Sequence, residues 1–325
     1  MVWLWILIAL GAVLFFFVIP TMILAWIIYS VLLRRNKPGK WDRGCSFPED
    51  PEYCRMHDIG IEWGKSYADR KREVEIKSDG LRLVGEYFDF GGSSAALIIA
   101  GRTECVLYSY YFAEPFRRAG RNVLVIDNRA HGESDGVISS LGYREYRDIL
   151  NWSALLHDTL GNDTVFLHGI CIGCSTALFT LTSPKCPDYL VGMAAEGMYK
   201  TFGVSLEKHF EERNKPMFPL GYITMFYLWL FGGANVVTDG PYKRIRTMQK
   251  PLLMLHSLED PYSLPENAKK LFASCPSKDK RIVWFPHGGH SRLRIVDMER
   301  YDAEIRAFLT DMDRKTIGQI AEKHL

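Results

Sequence analysis

The stretch Thr164–Leu181 reads TVFLHGICIGCSTALFTL, and it decides how the rest of the chain is organised. Its opening run, Thr164–Gly169, suits a strand buried on both faces. From Cys171 to Leu181 the residues suit a helix. Between them Gly169-Ile-Cys171-Ile-Gly173 spells G-x-nucleophile-x-G. A tight strand-to-helix turn holds the central residue in strained backbone angles. Glycines two residues to either side let strand and helix approach closely. The central side chain then stands at a helix N-terminus, where the dipole favours an anion. Cys171 fills that place, and a thiol there is expected to be reactive near neutral pH.

A lone G-x-Cys-x-G would be a weak signal, but its partners follow in order. The apolar run Pro251–His256 predicts a strand, and Ser257-Leu-Glu259-Asp260 follows it directly. The next predicted strand, Arg281–Phe285, leads into Pro286-His287-Gly-Gly-His290. The order nucleophile, acid, histidine assigns Cys171 to attack, His290 to move the proton and Asp260 to fix its tautomer. Glu259 and His287 are rivals for the last two roles. Asp260 is preferred for its place in the loop, and His290 because it follows two glycines. The oxyanion donors are expected to be the backbone N–H groups of Ile172 and of Arg102, in the loop after the run Ala95–Ala100.

The remaining pattern alternates strands and helices. Strands are expected at Arg72–Ser78, Leu81–Phe90, Ala95–Ala100, Asn122–Asp127 and Tyr189–Ala195, besides those already named. Helices are expected at Tyr108–Ala119, Tyr143–Leu160 and Glu299–Leu309. The first two strands flank the turn Asp79-Gly80 and should pair antiparallel. The rest imply a mostly parallel sheet covered on both faces, an α/β fold. The 325 residues are 47% hydrophobic, which excludes disorder. Lys and Arg number 40 against 38 Asp and Glu, so no basic surface for nucleic acid is expected. The seven cysteines are too sparse for a disulfide framework and lack metal-ligand spacing. No metal or organic cofactor is implied.

Three segments lie outside this rhythm. Residues 1–33 carry no charged side chain. As one helix they would span roughly 50 Å, more than the roughly 30 Å of a bilayer core, which needs about 20 residues. They are read as a transmembrane anchor, with Pro20 as a kink or a break between a span and an interfacial turn. A cleaved signal peptide would need a charged start and a small-residue cleavage site, and neither is visible. Arg34, Arg35, Lys37, Lys40 and Arg43 follow the anchor, so the positive-inside rule places the remainder in the cytoplasm. Residues 34–67, with Pro38, Gly39, Pro48 and Pro51 among mixed charges, read as a linker before a catalytic domain over 68–325. Residues 198–249 carry no strand signal and read as a cap inserted into that domain. Within it, Met217–Thr238 is uncharged but interrupted by Pro219, Gly221, Gly232 and Gly233, which leaves too short a helix for a second span.

These pieces together resemble an α/β-hydrolase, in particular the membrane-anchored serine-aminopeptidase or lysophospholipase-like branch. The resemblance rests on Gly101-Arg-Thr103, on Asp127-Asn-Arg129-Ala-His131-Gly-Glu-Ser134, on the turn at Cys171, on the Asp260 loop and on Gly288-Gly-His290. It covers roughly residues 73–309. It implies an eight-stranded sheet and cleavage of esters, thioesters or amides through an acyl-enzyme. The sequence departs from that pattern in three places. Cys171 replaces the usual Ser, as it does in dienelactone hydrolases, polyhydroxyalkanoate synthases and bile-acid acyltransferases. Ala100 stands where a His often precedes the oxyanion glycine, and Cys174 stands where a second glycine often follows the nucleophile turn. The leading expectation is hydrolysis of a carboxylic ester or thioester, on acyl or lipid-like small molecules at the membrane. A thioester intermediate also transfers to amines or alcohols, so an acyltransferase is the alternative. A catalytically silent membrane-bound protein is the third, and a Cys171–Cys174 redox pair is a further reading of the same residues. Arg129, His131 and His168 are expected to be structural.

Overall fold

The computed structural model describes residues 1–323, with side chains through Lys315. Eight strands form one sheet: β1 Lys71–Ser78, β2 Leu81–Phe88, β3 Ser94–Ile99, β4 Asn122–Ile126, β5 Thr164–Ile170, β6 Leu190–Glu196, β7 Leu252–Ser257 and β8 Lys280–Phe285. Their order across the sheet is β1-β2-β4-β3-β5-β6-β7-β8. The pairs β1–β2 and β2–β4 are antiparallel, and all later pairs are parallel. This is the α/β-hydrolase fold expected from the sequence. The strand ends differ from the expected ones by one or two residues.

The parallel strands are apolar throughout because both their faces are covered. Alternate residues go to opposite layers: Leu97, Leu124, Leu167 and Met254 to one core, Ile98, Val125, Phe166 and Leu255 to the other. The principal helices are α1 Val2–Leu33, α2 Pro51–Ser66, α3 Glu145–Ala154, α4 Ile172–Leu181, α5 Phe202–Glu211, α6 Leu220–Gly232, α7 Pro265–Ser274 and α8 Met298–Lys323. Helices α3, α4 and α7 fill the first layer with Ile149, Trp152, Leu178 and Leu271. Helices α2 and α8 fill the second with Tyr53, Met56, Tyr301 and Phe308.

Helix α1 is long and apolar enough to cross a membrane. It runs on through Pro20 rather than ending there. Pro20 cannot donate to the Phe16 carbonyl, and a π-helical turn at Leu14–Val18 lies directly beside that gap. The far end of α1 is fastened to the domain. Lys40 Nζ donates to the carbonyls of Ser30 and Val31 at 2.9 and 2.8 Å, and Arg35 N–H donates to Val137 O at 2.8 Å.

The segment read as a linker holds more structure than that reading allowed. Asp50 caps α2 by accepting from the N–H groups of Glu52 and Tyr53, Pro51 opens it, and Tyr53, Met56, Gly60 and Gly64 are buried. Gly60 is needed there, since a Cβ would lie 2.8 Å from the Leu107 carbonyl oxygen. The region between β6 and β7 contains α5 and α6. Its apolar side chains form a third cluster with Ala25, Tyr29 and Leu33 of α1.

Candidate active site

The end of β5 and the start of α4 create the turn that carries Cys171. Its backbone is at φ +54° and ψ −114°, a conformation that costs energy for any residue but glycine. At both flanking glycines the backbone of strand and helix comes close. A Cβ on Gly173 would lie 2.0 Å from Ile99 O, and one on Gly169 would lie 2.5 Å from Gly173 O. The Cys171 N–H donates to Glu196 O at 3.0 Å, which ties the turn to the end of β6.

His290 reaches the same point from the loop after β8. On one side its imidazole faces Cys171, with which it lines the same cavity and which raises its pKa. On the other, Nδ1 lies 2.8 Å from Asp260 Oδ2. Asp260 sits after β7, where the N–H groups of Tyr262 and Ser263 donate to its Oδ1 at 2.9 and 2.8 Å. Burial works against charge on His290, yet the facing Cys171 and Asp260 outweigh it and hold the imidazole pKa well above its ordinary value. Burial likewise opposes the Asp260 carboxylate, and His290 with the backbone donors more than offsets it, keeping that pKa low. Gly197, at φ +68°, makes room for the histidine, because a Cβ there would lie 3.1 Å from His290 Cε1.

The rival residues are elsewhere. His287 is largely exposed and pairs with Glu259 at 3.1 Å on the surface. His131 is buried, stacks on Trp41 at 4.6 Å between ring centroids and bonds through Nε2 to Arg102 O at 2.5 Å. It therefore braces the loop after β3. Arg129 forms a buried bidentate pair with Asp148 at 2.7 and 2.6 Å. His168 bonds to Tyr301 within the core, and burial pushes its pKa down to about 3. Cys174 points away from the site: its thiol donates to Gly169 O and Glu196 O beneath the turn, and burial raises its pKa well above the usual thiol range. That arrangement does not favour a Cys171–Cys174 redox pair.

Cys171, Ile172, Arg102 and His290 line one cavity of about 760 Å³. Leu32, Tyr199, Phe202 and Leu206 supply an apolar wall, so the last turn of α1 contributes to the site. The Arg102 guanidinium donates to Leu32 O at 3.2 Å, joining that turn to the loop after β3.

Glu196 is the residue that the sequence reading missed. It is fully buried at the end of β6. Its carboxyl accepts from Tyr301 Oη at 2.7 Å and from Leu293 N–H at 3.0 Å. Burial is the main cause that raises its pKa to about 7. It thus links the turn at Cys171 to the segment just after His290. An acid closing the apolar run of β6 was the available signal.

A sequence model described as the alpha/beta hydrolase fold matches residues 97–195, the span from β3 to β6. The chain is 28% identical over 222 residues to the uncharacterized protein YqkD of Bacillus subtilis, covering 68% of this chain and 72% of that one. It is 24% identical over 200 residues to the uncharacterized membrane protein YNL320W of Saccharomyces cerevisiae, covering 60% of this chain and 63% of that one. Among solved structures, the Pyrococcus furiosus esterase Pf2001 superposes with a TM-score of 0.64 at 19% identity, covering 76% of this chain and 95% of that one.

Proposed function

We propose that this chain is a hydrolase that cleaves carboxylic esters or thioesters through an acyl-cysteine at Cys171, held at a membrane by α1. The observation that carries the reading is that Cys171, on the strained turn between β5 and α4, shares a cavity with His290, whose Nδ1 lies 2.8 Å from Asp260 Oδ2. In the first half-reaction Cys171 Sγ attacks the acyl carbon. The backbone N–H groups of Ile172 and Arg102 stabilise the oxyanion, and His290 gives its proton to the departing alkoxide or thiolate. In the second, His290 takes a proton from water as the water attacks the thioester, and Cys171 is released. Asp260 holds the imidazole in place throughout.

The apolar wall of Leu32, Tyr199, Phe202 and Leu206 supports an acyl chain as the substrate's larger part. The length and composition of α1 support the anchor, and the yeast relative is itself named a membrane protein. The basic residues after α1 support a cytoplasmic domain. Hydrolysis rates for acyl thioesters and aryl esters of increasing chain length test the proposal. Turnover that Cys171→Ala reduces by about a thousandfold or more is expected. Equal turnover by the parent and Cys171→Ala would refute it.

A further inference from the structure

We propose that the outer face of α6 is a membrane-docking surface, seated in the lipid headgroup layer beside the last turns of α1. The inference rests on the reading of α1 as a membrane anchor. It begins with composition: Met217–Thr238 contains no charged residue, so α6 has no polar face. Its inward side is accounted for. Thr224, Met225 and Leu228 are buried in the cap. Its outward side is also apolar yet bare, with Tyr222, Phe226, Trp229 and Leu230 each about half exposed and Phe218 three-quarters exposed. An apolar patch of this kind calls for an occupant.

The place of α6 identifies that occupant. The helix packs directly on α1: Tyr227 Oη donates to Met22 O at 3.2 Å, and Thr224 Oγ1 to Ala25 O at 3.5 Å. The rings of Trp26 and Tyr29 meet those of Tyr227 and Phe231. The bare face of α6 is therefore continuous with the bare surface of α1. Length fixes the depth. Helix α1 has 32 residues. A hydrocarbon core about 30 Å thick uses about 20 of them, at 1.5 Å each. Burial on α1 begins at Ala25 and includes Tyr29, Ser30 and Leu33, so the residues in excess of a span are those the domain covers, where α6 makes its contacts.

The chemistry suits that depth. Aromatic residues, Trp and Tyr above all, concentrate at headgroup level, and short apolar helices lie in that layer. The Arg34 guanidinium stacks on Trp26 at 5.0 Å, and Arg144 donates to Phe231 O at 3.4 Å, so cations border the patch on the domain side. A groove of about 260 Å³ between the two helices, lined by Ile19, Met22, Ile23, Trp26 and Tyr227, offers room for a lipid tail.

The test uses the full chain in nanodiscs of phosphatidylcholine and phosphatidylglycerol. The probe is a phosphatidylcholine with a diazirine high on one acyl chain, and peptide mass spectrometry locates the adducts. Adducts on α1 and on the peptide spanning Tyr222–Phe231 are expected. Adducts on α1 alone would overturn the docking of α6 and leave the anchor standing. Adducts on neither would overturn both. A disulfide-linked dimer formed through Phe226→Cys under mild oxidation, with no lipid adduct on α6, would assign the face to self-association and overturn the proposal. In the same nanodiscs, a variant with Phe226→Glu and Leu230→Glu should turn over a long-chain ester resident in the bilayer about tenfold more slowly. Its rate on a short water-soluble ester should be unchanged.

Discussion

Cys171 and His290 are set among neighbours that include two buried carboxyl residues, Asp260 and Glu196. The Asp260 carboxylate helps to hold the His290 pKa above its ordinary value. An Asp260→Asn variant keeps the shape but loses that charge. The histidine pKa then falls, and the basic limb of kcat/KM against pH moves to lower pH. The rate at neutral pH drops by about a hundred- to ten-thousandfold. A basic limb that stays in place would contradict the role given to Asp260. Glu196 is the other carboxyl. Its pKa rises from 4.5 to about 7 on folding, mainly through burial. The folded state therefore binds more protons than the unfolded chain between those two values, and stability falls as pH rises through that window. The loss approaches about 3 kcal/mol when complete. Glu196→Gln removes the ionisation, so urea unfolding should show a flatter stability profile between pH 4.5 and about 7. An unchanged slope would show that Glu196 titrates alike in both states.

At the scale of elements, the junction of β5 and α4 tolerates least change. A methyl group on Gly173 meets the Ile99 carbonyl oxygen, a backbone atom of the neighbouring strand. Gly173→Ala should therefore cost more than about 3 kcal/mol, read as a fall in the urea midpoint, since strand and helix must separate to admit it. A near-normal midpoint would mean that the junction is looser than it stands here. The same junction was legible in the sequence because two glycines at fixed spacing have few other uses after an apolar run. The parallel strands were legible for a related reason: burial on both faces leaves an unbroken apolar run such as Leu97–Ile99 or Val123–Ile126. Helix α2 was not, because its buried face includes His57, Gly60 and Gly64, which carry no apolar signal. Asp50-Pro51 marked its start and went unread as a cap. Glu196 escaped for a different reason. Its carboxyl partners are Tyr301 and Leu293, each about a hundred residues away, and no local pattern encodes that.

Across the whole molecule, α1, the region between β6 and β7 and the candidate site form one continuous structure. Ala25, Tyr29 and Leu33 are fully buried against α5 and α6, and Leu32 lines the cavity that Cys171 enters. A fragment starting after α1 would lose that wall and the partner of the Arg102 guanidinium. The protein to measure is therefore the full chain, reduced and in detergent or nanodiscs. The central claim is that Cys171 takes up an acyl group. Intact-mass spectrometry during turnover of an acyl thioester reads this directly. The account predicts a transient mass increase equal to the acyl group, mapped to the peptide carrying Cys171 and absent from Cys171→Ala. No adduct at Cys171 with thioesters or esters of any chain length, or an adduct that persists in Cys171→Ala, would contradict it.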